Sequence, residues 1–216
     1  MNRDLWLLLA AFGALCAGVL WLAPGDQGRQ ILALTVVFHL ALLAVAQWRG
    51  HRHWWRWWLF LLPVSLLQVL PDAVLAGVVG SLRFAPADVP HVGQVPVFMG
   101  GLWVIPLLLV GLCADQTQTA LGDSSSAVLA AGLGLGLFAV AEWMAWYMPI
   151  WQAVNVASTA HVAHYVLLPE AWLCLSVVVL ERISRGRSTG LRLFCAPLIA
   201  LSYTGALLVS YWVLEA

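Results

Sequence analysis

Seven long apolar runs dominate this chain and leave it few ways to fold. Bilayer hydrocarbon is about 30 Å thick and takes roughly 20 apolar residues per helix. The runs Leu5–Ala23, Ile31–Trp48, Trp57–Gly80, Pro96–Ala114, Ala127–Tyr147, Val156–Leu180 and Leu193–Leu214 suit that length. Polar connections separate them: Pro24–Gln30, Arg49–Arg56, Ser81–Val95, Asp115–Ser126, Met148–Asn155 and Glu181–Arg192. Each run is continuous rather than alternating apolar and polar, which excludes a β-barrel. The first is longer than the apolar core of a signal peptide, about 7–15 residues, and is read as a retained helix. The expected fold is all-α, one polytopic transmembrane bundle of seven spans over residues 1–216.

Composition closes the soluble alternatives. Of 216 residues, 62% are hydrophobic and 9% charged, against about 45–50% and about 25% in soluble domains. All ten basic residues are Arg, and ten carboxylates balance them. No basic patch is left to track a phosphate backbone, so a nucleic-acid partner is excluded. Cys16, Cys113, Cys174 and Cys195 lie far apart in apolar runs without metal-site spacing, and are read as small buried hydrophobes.

Arginine supplies an orientation. With seven spans, one side carries Arg3, Arg49, Arg52, Arg56, Arg182, Arg185, Arg187 and Arg192, and the other only Arg29 and Arg83. The positive-inside rule then puts the N-terminus in the cytoplasm and the C-terminus outside, in a multi-pass protein of the inner (plasma) membrane. The segment His51–Trp58 interleaves cations with tryptophans and reads as an interfacial anchor rather than a headgroup-recognition site. Ala10, Ala14 and Gly18, and the pair Gly132 and Gly136, are small-residue faces for close helix packing, within the monomer ahead of a homodimer.

Ionisable groups inside spans are costly and mark sites. Asp72, Glu142, His161 and His164 fall at similar depth in the outer half, beside the Ser81–Val95 connection with Arg83, Asp88, His91 and Gln94. His161 and His164, three apart, would share a helical face. Glu170 lies about 180° round an ideal helix from His161, though Pro169 before it should disturb that helix; it sits deeper than the rest and ranks below Glu142. His39 reads as a hydrogen-bonded interior residue, and Arg83 and Asp88 as a pair within their loop.

Two chemistries fit. In one, Glu142 is an acid, a histidine is the base, and Asp72 or Arg83 holds the substrate or a partner charge. In the other, His91, His161 and His164 bind a transition metal; the helical HExxH spacing is absent, and the scheme without cofactor is preferred. The expected catalytic set is therefore Glu142, His161, His164, Asp72, His91 and Glu170, with Arg83, Trp146, Trp151, Asn155 and Tyr165 as substrate contacts.

Two stretches, His91–Leu107 and Glu142–Trp143 continuing through Pro149–Val156 to Tyr165–Glu170, resemble an uncharacterised family of small bacterial polytopic membrane proteins, a domain of unknown function. That resemblance implies no activity; it implies that Glu142, Asn155 and Glu170 belong to a family pattern. The seventh span holds no Lys for a retinal Schiff base. The resulting expectation is an enzyme acting on a hydrophobic lipid-phase substrate, an isoprenoid or acyl lipid, by hydration, isomerisation, cyclisation or hydrolysis. An accessory subunit binding a partner, pigment or haem, and a small-solute or proton carrier, are the rival readings.

Overall fold

A computed structural model describes residues 3–23, 25–148 and 150–215. Pro24, at the start of the first connection, and Pro149, in the second family-like stretch, lie outside the described residues. Seven long helices form the bundle. They are α1 (Arg3–Leu22), α2 (Gln27–Arg49), α3 (Arg52–Leu67) extended by α4 (Val69–Val74) and a π turn (Leu75–Val79), α5 (Met99–Leu102) extended by α6 (Val104–Leu121), α7 (Asp123–Tyr147), α8 (His164–Ser184) and α9 (Thr189–Glu215). All of these except α8 are long and apolar enough to cross a membrane, and the chain is a membrane protein.

The remaining long helix, α8, is the most enclosed and packs against α6, α7 and α9. Its Leu173, Cys174, Val177 and Val178 are fully buried. By contrast, Leu5 is the only buried residue among those described in α1. Helices held by close packing rather than by water exclusion need small residues where they meet. That residue in α7 is Gly134: a Cβ there would sit 2.8 Å from Cys174 Sγ of α8. Gly132 and Gly136 face outward with nothing near them, as do Ala10 and Ala14 of α1, so the expected small-residue seams are not the helix contacts in the monomer.

Several expected boundaries move. Helices α6 and α7 run through most of the Asp115–Ser126 connection and break only at Gly122, whose φ of +86° is a conformation glycine enters freely. The sixth apolar run becomes helical at His164 rather than Val156, because the residues before it form hairpin strands. The tryptophans of His51–Trp58 divide: Trp54 and Trp57 are buried core rather than an interfacial belt. The Trp57 indole donates to Asp115 at 2.8 Å.

At the end of the bundle away from most of the arginines, the connections are ordered by short strands. β1 (Leu82–Phe84) pairs antiparallel with β4 (Trp151–Ala153), joining the third and fifth connections. β2 (His91–Val92) pairs with β3 (Val95–Pro96), and β5 (Ser158–Thr159) with β6 (Val162–Ala163). The loop after β1 lies on the start of α2, where a Cβ on Gly28 would run into Ala87. Arg29 pairs there with Asp88, which corrects the expected Arg83–Asp88 pair; Arg83 is exposed on β1 opposite Gln152. Asp26 caps α2, and the Arg29 backbone N–H that it accepts holds its carboxyl below the usual range. Glu215 closes the end by accepting from the Ala157 N–H at 2.9 Å.

Candidate functional site

The third rod carries a polar stripe through apolar surroundings. Ser65, Gln68 and Asp72 are spaced three and four apart, on one helical face, and all three are buried. Ser65 Oγ and both polar atoms of Gln68 have no hydrogen-bond partner among the described residues. Just beyond Asp72 the ladder loosens into the π turn, and Gly80, at φ +72°, ends the rod with its N–H on Leu75 O. Single π turns inside α-helices are frequent at functional sites.

Asp72 opens onto a cavity of about 450 Å³, within the range of about 300–1,000 Å³ that pockets for small ligands occupy. Glu142 of α7 and Glu170 of α8 line the same space, with Val166 one turn before Glu170. The rest of the lining is mostly apolar, drawn from every long helix and from β1 and β4. Two of the three carboxyls are held by indoles. Trp103 Nε1–H donates to Asp72 Oδ2 at 3.3 Å, and Trp151 Nε1–H donates to Glu142 Oε1 at 2.7 Å. Glu170 is 4% exposed, and its Oε2 has no partner among the described residues. Among the described residues no cation forms an ion pair with any of the three.

The expected substrate contacts Trp151 and Tyr165 do line this cavity; Arg83, Trp146 and Asn155 do not. Tyr165 is fixed by Ser81, their hydroxyls 2.9 Å apart. Asn155 is exposed at φ +57°, a turn conformation that Asn adopts more readily than most residues.

The histidines part company with the carboxyls. Ala160 and His161, at φ +50° and +68°, are the two central residues of the β5–β6 hairpin turn. His161 is therefore not helical and shares no helical face with His164. Its ring stacks on Trp146 at 4.0 Å and 4°. His164 is exposed and pairs with Thr159 Oγ1 at 2.8 Å. His91 is exposed on β2. None of the three lines the cavity, and no group of three His, Cys, Asp or Glu able to hold a metal ion occurs among the described residues. His39 is satisfied on both nitrogens, by Trp58 at 2.8 Å and Gly101 O at 3.2 Å.

Trp103, Phe138 and Tyr203 were not in the expected set. Trp103 meets Phe138 at 5.1 Å and Tyr203 at 6.0 Å between centroids, making an aromatic wall beside Asp72. Only the position of Trp103 early in a span, one turn after Met99, hinted at it. Cys16, expected to be a buried hydrophobe, is partly exposed and faces the same space from α1.

No curated protein and no solved structure matches the chain. Residues 69–214, which carry Asp72, Glu142 and Glu170, match the family described as Domain of unknown function (DUF6989), and the chain belongs to that family.

Proposed function

We propose that the protein is a seven-span enzyme of the inner membrane that performs proton-transfer chemistry on a hydrophobic substrate drawn from the lipid phase. The observation that carries this reading is the convergence of Asp72, Glu142 and Glu170, none with a cation partner among the described residues, on one largely apolar cavity. Burying a carboxyl without such a partner is costly, and ionisable groups inside membranes are kept where they act. The Arg-rich end is taken as cytoplasmic, so the cavity belongs to the outer leaflet.

The carrier reading has less support. Its polar route would continue from Asp72 through Gln68 and Ser65 toward the Arg-rich end. Below Ser65 that route meets Phe60, Leu61 and Val64, each at most 2% exposed. The accessory-subunit reading would leave the polar groups mutually satisfied, whereas Gln68 and Glu170 retain unpartnered atoms.

The test compares lipid extracts of membranes holding equal amounts of the native protein and of Glu142→Gln. That change keeps shape and removes the titrating carboxyl, which can then neither give nor take a proton. A lipid product present with the native protein and at least about 100-fold reduced in the variant is expected. Identical extracts would overturn the proposal.

A further inference from the structure

The cavity wall discriminates among lipid substrates. It contains no Arg, Lys or His, so a diphosphate or carboxylate headgroup drawn into it would be desolvated without a counter-charge. Acyl transfer fares no better. It needs a nucleophile within reach of a base and donors for an oxyanion. The Thr35 hydroxyl is committed to Ile31 O at 2.8 Å, and no histidine accompanies Cys16 in the lining. What the wall does offer is π surface: Phe12, Trp103, Phe138, Trp151, Tyr165 and Tyr203. Ring faces attract cations, most strongly where water is excluded.

The carboxyls divide the labour. An indole N–H can only donate, so the oxygens of Asp72 and Glu142 that Trp103 and Trp151 meet must accept. Glu170 lines the cavity without an indole, and its Oε2 has no partner among the described residues, so this is the carboxyl free to carry and deliver a proton.

We infer, resting on the proposed enzymatic reading, that the cavity binds a neutral, unsaturated isoprenoid chain and carries it through a carbocation, with Glu170 as the proton donor and Glu142 as the acceptor. The Glu170 proton bonds to one carbon of a carbon–carbon double bond, using its π pair, and leaves a cation on the more substituted carbon. The π pair of a second double bond forms a new carbon–carbon bond and moves the cation along the chain. Glu142 then removes a proton from the adjacent carbon, and that C–H pair becomes the new double bond. Substrate and product are isomers, nothing is oxidised or reduced, and one proton shift from Glu142 to Glu170 resets the site.

The experiment uses the full chain in phosphatidylcholine nanodiscs, in deuterium oxide, with geranylgeraniol, its terminal epoxide and the p-nitrophenyl ester of palmitic acid as separate probes. Expected is an isomer of the alcohol carrying one deuterium on carbon, or an isomer of the epoxide, whose opening takes the proton on oxygen and leaves none on carbon, formed at least about 100-fold more slowly by Glu170→Gln. Ester cleavage without isomerisation would overturn this inference and leave the broader reading standing. Inertness toward all three, with extracts that do respond to Glu142→Gln, would do the same; inertness in both would overturn both.

A binding measurement does not depend on turnover. A long-chain tertiary amine, charged at neutral pH, should quench tryptophan fluorescence at about tenfold lower concentration than the alcohol of equal length. Phe138→Leu, which removes π surface but no charge, should narrow that ratio. Equal binding of amine and alcohol would overturn the cation role of the wall.

Discussion

The two ends of the bundle treat the same chemical group in opposite ways. At the Arg-rich end, carboxylates are saturated with cations. Asp115 accepts from Arg56 at 2.6 Å, from Arg185 at 2.8 Å and from the Trp57 indole. Glu181, whose side chain is 0% exposed, accepts from Arg185 at 2.6 Å, with Arg56 Nε 3.0 Å from its other oxygen. At the cavity, Asp72, Glu142 and Glu170 face apolar walls with at most one indole each. Burial alone therefore does not mark a site in this protein. A buried carboxylate ringed by guanidinium groups fastens helices α3, α6 and α8; on the proposed function, a buried carboxyl without them serves a ligand.

The contrast is broken most sharply by amide substitutions. Glu181→Gln removes the more buried of the two carboxylates that Arg56 and Arg185 share, Asp115 remaining, and should cost about 1.5–3 kcal/mol, read as a clear fall in the detergent thermal-unfolding midpoint. Glu170→Gln removes no ion pair and should leave that midpoint unchanged or raised. Equal losses in the two variants would show that both carboxyls serve the fold.

A smaller effect sharpens the same division between filled and unfilled space. Gly134→Ala drives a methyl group into Cys174 and should cost about 1–3 kcal/mol. Gly132→Ala, two residues away with nothing near it, should stabilise by up to about 1 kcal/mol. The smallest change lies in the hairpin turn. Ala160→Gly relieves a left-handed conformation worth roughly 1–2 kcal/mol, partly offset by the freedom glycine adds to the unfolded chain, so a gain of under about 1 kcal/mol is expected. A loss at Ala160 would mean that its methyl group has a partner.

The bundle was legible because apolar length is a strong, local signal, and the depths of Asp72 and Glu142 followed from it. The phase of Glu170 could not be read from His161, because the helix begins only at His164. Nothing in Val156–Ala163 warned of a hairpin: two-residue turns with positive φ favour Asn and Gly, and this one is made of Ala160 and His161. The pairing of β1 with β4 joins segments far apart in the chain, so no local pattern could reveal it. Likewise GxxxG spacing pointed to Gly132 and Gly136, while the residue between them makes the contact. Spacing shows which residues share a face, not which face meets a neighbour.

Helix α1 buries only Leu5, yet Leu9, Phe12, Cys16 and Leu20 close one side of the cavity. A single thin partition thus stands between the carboxyls and the surrounding acyl chains. For a greasy molecule exchanging across it, occupancy is governed by mole fraction in the bilayer rather than by molarity in the buffer. Half-saturation expressed per millilitre should rise in proportion to the phospholipid added, while the same value expressed per lipid stays constant.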